Sequence, residues 1–121
     1  MDPIKITLMV DRESVHPGDD LISHQKQFSI SSKIKIRDLG EYILDNYAFP
    51  TIVTDHVWFV GKINEEKIFT VQEYGQNMGE RWEWKFKIEY NVNENTPIIK
   101  YLNQGSIKIY FEYKYDDKVL L

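Results

Sequence analysis

The residues best suited to chemistry in this chain lie in one short stretch, residues 10–24, which reads VDRESVHPGDDLISH. This stretch collects carboxylates and imidazoles at Asp11, Glu13, His16, Asp19, Asp20 and His24. Imidazole and carboxylate groups are zinc ligands, so two histidines and one aspartate define a candidate transition-metal site. The same groups, used as acid and base, define the alternative of a small enzyme.

The spacing of these residues favours a plainer interpretation. The histidines are not four apart on a helix, and the carboxylates do not follow the calcium-loop pattern. Pro17 and Gly18 favour a turn in which an aspartate satisfies local amides. The loop is nevertheless longer than most hairpin connections, and long loops often carry binding residues. We therefore expect no metal and no cofactor, and we interpret the stretch as an acidic, partner-binding loop that uses Asp11, Glu13, His16, Asp19 and Asp20.

Other catalytic arrangements have little support in the sequence. Asp55 and His56 become an acid–base pair only in a pocket that shifts their pKa values, and His56 is more typical of a strand start. No serine lies in a nucleophile-elbow pattern, and the six glycines are scattered rather than grouped in a phosphate-binding loop. The chain has no cysteine, which excludes thiol chemistry and disulfides. We predict no catalytic residues and no enzyme.

The length and net charge of the chain predict how many domains it forms and which classes of partner it does not bind. A chain of 121 residues predicts a single domain, residues 1–121. The net charge of −4 argues against nucleic acid and is compatible with a basic protein partner. No window reaches the roughly 18 apolar residues of a membrane span, and the N-terminus lacks the cations of a signal peptide. We therefore expect a cytoplasmic protein without nucleic-acid or membrane partners.

Hydrophobic periodicity predicts six strands and one main helix. Alternating apolar residues predict strands at 4–10, 25–31, 56–63, 67–72, 82–90 and 106–115, with the first two antiparallel. Apolar residues three and four apart predict an amphipathic helix over 36–47. We expect a loop at 72–81, a helical turn ended by Gly105, and a bulge or close backbone approach at Gly61. Trp82, Trp84 and Phe86 share one face, which we expect to lie in the core.

The order of these elements resembles the ubiquitin-like β-grasp arrangement. The resemblance rests on an opening hairpin, the helix in KIRDLGEYIL, the tight turn in VWFVGKINEEK, and the helical turn and last strand in TPIIKYLNQGSIKIYFEYK. It covers about residues 4–71 and 96–115, and it makes residues 72–95, with their Trp-rich strand, an insertion. It implies an α+β fold in which a mixed sheet packs on one main helix. Modifiers and sulfur carriers of this superfamily end in Gly-Gly, whereas this chain ends YDDKVLL, so we do not expect conjugation.

One strand places an aromatic residue away from the predicted core. Trp58 lies on the face opposite Val57 and Phe59. If the helix covers one face only, Trp58, Tyr110 and Met9 lie on an open sheet face, unless the insertion folds over it. We therefore add Trp58 to the expected partner-binding residues.

The sequence thus predicts a protein-binding module. The narrower hypothesis is an intracellular immunity protein that neutralises a cognate toxin with basic surface residues. The alternative is a small enzyme or metal-binding protein that uses His16, Asp19, Asp20 and His24.

Overall fold

A computed structural model describes residues 4–14, 23–47, 49, 56–77 and 79–115. Within these ranges the chain forms one α-helix, one 3-10 helix and six strands that share one mixed sheet. In chain order they are β1 (Lys5–Arg12), β2 (Lys26–Ser31), α1 (Ile36–Asn46), β3 (His56–Ile63), β4 (Glu66–Asn77), β5 (Trp82–Tyr90), the 3-10 helix (Ile98–Tyr101) and β6 (Ser106–Tyr115). The predicted α+β class, with a mixed sheet and one main helix, is confirmed.

The sheet brings β1 and β6, the first and last of the described strands, side by side in its interior. The strand order is β2-β1-β6-β3-β4-β5. β1 and β6 are parallel, with Leu8 beside Ile107 and Val10 beside Ile109, and the other neighbouring strands are antiparallel. β2 and β5 are therefore the two edge strands.

The core lies between the sheet and α1. Ile36, Leu39 and Ile43, spaced three and four apart, are fully buried on one side of α1. They share one hydrophobic cluster with the alternate residues of the strands, among them Leu8, Val10, Phe59, Val71, Ile107, Ile109 and Phe111. The N–H groups of Ile36 and Arg37 donate to the carbonyls of Thr96 and Glu94, which fixes where the helix begins. We call the side of the sheet that carries this cluster the inner face.

The pairing of β3 with β4 contains a β-bulge at Gly61 and Lys62, just before the turn that joins the two strands. Gly61 lies opposite Phe69, but Lys62 lies opposite Lys67, so Ile68 is an extra residue in β4. Ile68 and Phe69 are consequently both fully buried. A Cβ atom at Gly61 would lie 2.7 Å from Phe111 Cε1. The Cβ atom would also lie 3.1 Å from the Phe69 carbonyl oxygen, so the prediction that Gly61 marks a bulge or a close backbone approach is confirmed.

Two local predictions are wrong. The loop expected at 72–81 begins only after Asn77, because β4 pairs with β5 as far as Asn77 opposite Trp82. This pairing with a distant segment outweighs the local glycine and polar signals. Gly105 does not end the 3-10 helix, which stops at Tyr101; with Gln104 it forms a turn, and both have positive φ.

The apolar side of β5 is only partly in the core. Ile88 and Tyr90 pack under α1, where a Cβ atom at Gly40 would lie 3.0 Å from Tyr90 Oη. Phe86 is 40% exposed, so its predicted place in the core is wrong. The reason is that β5 is an edge strand and Phe86 has a neighbouring strand on one side only. The side chains of Trp82 and Trp84 lie outside the described structure.

In the described part of the chain the α-helix has eleven residues, too short to cross a lipid bilayer.

Candidate protein-binding surface

The side of the sheet opposite α1, which we call the outer face, is open over β1 and β6. Strand alternation directs Lys5, Thr7, Lys108, Tyr110 and Lys114 to this face, and all five are exposed. The residues of the predicted insertion form β5, which continues the sheet beside β4. Among the described residues the insertion therefore widens the sheet and leaves the outer face of β6 uncovered.

Tyr110 is the exposed aromatic residue at the centre of this face. It lies beside Asp11 of β1 and Lys62 of β3 in the strand register, and it is 38% exposed. Burial raises the pKa of Tyr110, and the carboxylates of Glu13, Asp11 and Glu112 raise it further. An exposed phenol ring thus lies near three carboxylates and beside Lys62. We call Tyr110, Asp11, Lys62 and Glu112 the Tyr110 surface.

A shallow groove lies beside Tyr110. It has a volume of about 250 Å³ and is lined by Lys62, Asn64, Glu65, Lys108, Tyr110 and Glu112. Lys62 Nζ lies 3.1 Å from Glu112 Oε2, so one wall of the groove is fixed by an ion pair. The opposite wall is the β3–β4 turn, where Asn64 and Glu65 have φ of 50° and 70°. The groove offers both signs of charge next to an aromatic ring, which suits a polar or charged side chain of a partner.

Trp58 lies on the same outer face, farther along β3. It is half-buried and stands opposite Gln72 of β4 and Lys114 of β6. Tyr110 stands opposite Lys62, four residues from Trp58, which places the two aromatic positions about 13 Å apart along the strands. Their predicted common face is confirmed. The binding role of Trp58 stays a prediction.

The acidic loop leaves the sheet next to the Tyr110 surface. Asp11 Oδ1 accepts the N–H of Arg12 at 2.8 Å, which fixes the position of this carboxylate at the end of β1. The Glu13 N–H donates to the Phe111 carbonyl, and the Glu13 carboxylate accepts the Tyr113 N–H. Glu13 therefore extends the pairing of β1 with β6, which is a structural use of a residue predicted to bind a partner. His16, Asp19 and Asp20 lie outside the described residues.

The two ends of the loop are joined at its base. Ser14 Oγ lies 3.3 Å from His24 Nε2, and the Tyr47 hydroxyl donates to the His24 carbonyl at 2.6 Å. These contacts hold the loop ends against the C-terminal end of α1. The sequence analysis missed both, because neither Ser14 nor Tyr47 has a spacing that indicates its partner.

The described residues form neither a metal-ligand cluster nor a complete catalytic set that would support the metal and enzyme alternatives. Within these residues no three histidine, aspartate or glutamate side chains gather closely enough to hold a metal ion. A serine beside an imidazole is the first part of an activated nucleophile, but it also requires a group that orients the imidazole and a substrate pocket. Since His16, Asp19 and Asp20 lie outside the described structure, these alternatives stay predictions.

Comparison of the chain with protein-family models, with curated protein sequences and with solved structures finds no match. What the fold and the surface define is an α+β protein whose mixed sheet presents an outer face on which carboxylates and lysines lie around an exposed tyrosine.

Proposed function

We propose that this protein is a binding module for another protein, and that the Tyr110 surface is its main contact. The observation that supports this most is Tyr110 itself, an exposed ring on an uncovered strand face with Asp11 beside it on β1 and Lys62 beside it on β3. Tyrosine is enriched among the residues that dominate binding energy, because its rigid ring buries much area with little loss of entropy. A tyrosine at this position on an open sheet face is therefore suited to act as an anchor residue in a protein–protein interface.

The charge of the surface favours a basic partner. Asp11 and Glu112 flank Tyr110, and the Glu13 carboxylate is a third acidic group that acts on it. The whole chain carries a net charge of −4. Complementary charge raises the rate of association and discriminates against partners of the same sign.

The narrower proposal is an immunity protein that neutralises a toxin. In this proposal the acidic surface covers basic residues of the toxin domain and so prevents them from reaching their own target. The size, acidity and open sheet face are compatible with this role. The proposal names a chemistry for the partner rather than its identity.

We also propose that residues 1–121 form one β-grasp-like domain. The support is the antiparallel β1–β2 hairpin, the helix that follows it, and the central parallel pairing of β1 with β6. Residues 72–95 act as an insertion in this proposal, because β5 lies at the outer end of the strand order. The resemblance supports the proposed fold only, because one fold can carry many functions; the proposed binding function is argued from the Tyr110 surface.

The experiment begins with capture of a stoichiometric partner from a native extract, followed by binding kinetics with the purified partner. Tyr110→Ala is expected to raise the Kd by about tenfold or more, mainly through faster dissociation, as anchor residues do. Asp11→Asn removes one charge but keeps the oxygen that accepts the Arg12 N–H, so it should slow association, and less so at high salt. Glu41→Gln, an equal charge change at an exposed position of α1, is the matched control.

Equal kinetics for wild type, Tyr110→Ala and Asp11→Asn would remove this surface from the interface. An effect of Glu41→Gln as large as that of Asp11→Asn would show that net charge matters and the surface does not. A metal assay on the same purified protein tests the metal-binding alternative, in which one equivalent disappears on replacement of His24 by alanine.

A further inference from the structure

Strand β5 forms one edge of the sheet, and no strand in the described part of the chain pairs with its outer side. We propose that this edge pairs with β5 of a second copy, in antiparallel orientation, so that two six-stranded sheets become one continuous sheet. This proposal goes beyond the binding of another protein and uses a different surface, since the Tyr110 surface lies on β1, β3 and β6.

The backbone of β5 shows which groups are available for such pairing. The Asn91 N–H donates to the Ile68 carbonyl at 2.9 Å, so the peptide groups of Asn91 face β4. Peptide groups point to alternate sides along a strand, and the β4–β5 register is unbroken from Phe69 to Asn77. The N–H and C=O groups that point away from β4 therefore belong to Trp82, Trp84, Phe86, Ile88 and Tyr90.

The inner-face side chains of β5 lack the inward-pointing charge that protects many sheet edges, although Lys85 and Lys87 lie on its outer face. Proteins often protect an edge with a short strand or with a charge on the inward side. The other edge, β2, has only six residues, and its Lys26 lies opposite the buried Val10. β5 has nine residues, and its five inner-face positions are aromatic or aliphatic without exception. Phe86, 40% exposed at the middle of the strand, is apolar area that a second copy would cover.

Charge complementarity decides the register of the proposed pair. Because the even-numbered residues carry the free peptide groups, even positions must lie opposite even positions. Pairing centred on Phe86 gives the greatest overlap, but it places Glu83 opposite Glu89 and Lys85 opposite Lys87. Like charges directly opposite each other destabilise a strand pair, so this register is disfavoured.

Pairing centred on Lys85 is complementary. It places Glu83 opposite Lys87 and Arg81 opposite Glu89, and the two-fold axis makes each pair occur twice. Only Lys85 meets its own copy, and Glu83 Oε2 lies 2.9 Å from Lys85 Nζ within each chain, which offsets that charge. On the inner side this register places position 86 of one copy opposite position 84 of the other. It likewise places position 88 opposite position 82. The register centred on Trp84 is less favourable, because it opposes Arg81 and Lys87.

Sedimentation velocity of the full chain over a concentration series tests the proposal. We expect a reversible species of twice the 14.5 kDa chain mass. Phe86→Pro removes a free N–H from the outer side of β5 and leaves the bonds to β4, so it should give a monomer. Ser29→Pro is the matched control, because the Ser32 N–H donates to Ile4 and so places the Ser29 N–H on the free side of β2. That variant should still dimerise.

A charge variant tests the register independently of the proline variants. Lys87→Glu should raise the dimer Kd by about tenfold, since two opposite-charge pairs become two like-charge pairs. The double variant Glu83→Lys, Lys87→Glu restores the pairs and should restore the dimer. Tighter association of Lys87→Glu would indicate a register centred on Phe86 or on Trp84, in which residue 87 lies opposite a cation, and it would overturn the register proposed. A wild-type chain that stays monomeric, or a dimer insensitive to Phe86→Pro, would overturn the interface itself.

Discussion

Replacing Gly61 by alanine tests the close packing of β3 against β6 at the bulge. The new Cβ atom would lie 2.7 Å from Phe111 Cε1, 3.0 Å from Ile109 Cδ1 and 3.1 Å from the Phe69 carbonyl oxygen. Unstrained carbon contacts lie at about 3.5–4.0 Å, so the Phe111 ring would have to move by roughly 1 Å. Phe111 is fully buried and contacts the rings of Phe49 and Phe69, so the movement meets other core side chains.

The expected cost follows from two opposing terms. Overpacking of a dense core typically costs about 1–3 kcal/mol. Loss of glycine freedom in the unfolded chain returns about 0.4–1 kcal/mol. The backbone oxygen of Phe69 cannot move away without disturbing the sheet, so we place the cost at the upper end. The net destabilisation should be about 2 kcal/mol.

Gly40→Ala is the matched comparison, because its Cβ atom meets a side-chain end rather than the core. Its nearest neighbour would be Tyr90 Oη at 3.0 Å, and that hydroxyl donates to the Arg37 carbonyl at 3.2 Å. Displacing the hydroxyl costs about 1 kcal/mol, while alanine in a helix gains about 1 kcal/mol over glycine. The two terms cancel, and we expect stability close to that of wild type.

Urea denaturation followed by tryptophan fluorescence measures both variants. With a slope of about 2 kcal/mol per molar urea, Gly61→Ala should lower the midpoint by about 1 M with the slope unchanged. In thermal unfolding it should lower the Tm by about 8 °C. If Gly61→Ala lies within about 0.5 kcal/mol of wild type, or if Gly40→Ala is equally destabilised, the packing argument at the bulge is wrong.

Three further predictions concern the turn, the phenol and the loop base. Glu65→Gly should stabilise the protein by about 0.5–1 kcal/mol, because Glu65 has φ of 70° and glycine adopts that conformation without strain; an unchanged urea midpoint would contradict this. The pKa of Tyr110 is raised above its ordinary value of 10.0, so its contribution to stability is constant below pH 10 and is lost as the pH rises through the folded-state pKa. An ultraviolet titration should show a lower Tyr110 pKa in Asp11→Asn than in wild type, and no change would refute the electrostatic cause. Tyr47→Phe removes the bond to the His24 carbonyl and should cost about 1 kcal/mol. It should also speed hydrogen exchange around His24, whereas unchanged exchange would mean that the bond does not hold the loop base.

The periodic elements were predictable because their signals are local. The spacing of Ile36, Leu39 and Ile43 defines a helix face, and the helix ends one residue before its predicted limit. The alternation around Trp82–Tyr90 and Ser106–Tyr115 likewise places both strands at their observed bounds. In each element the apolar residues whose spacing gives the prediction lie on one face, and the residues between them lie on the opposite face.

The errors come from contacts between distant segments. β4 continues through Gly75 because β5 pairs with it there. The sequence of β4 alone does not indicate this pairing. Phe86 reads as a core residue because alternation identifies a face but not how much of that face a helix covers.

The surface was predictable in part for the same reason. Strand alternation places Tyr110 and Trp58 on the face away from the core. The carboxylate of Asp11 reaches Tyr110 only through the parallel register of β1 and β6, about 100 residues apart, which alternation does not give. The contacts of Ser14 and Tyr47 with His24 are also invisible to sequence patterns.

The central position of β6 has a consequence for how this chain becomes folded during its synthesis. Until the ribosome has released residues 106–115, the β1–β2 hairpin and the β3–β4–β5 meander are two separate half-sheets, each with an unsatisfied strand edge toward the other. Among the six described strands, the one that joins them is the last to emerge, and its pairing with β1 closes a loop of about 100 residues, so sheet closure should be slow. During that interval the nascent chain exposes the open edges of β1 and β3, the point at which chaperones would protect it from aggregation.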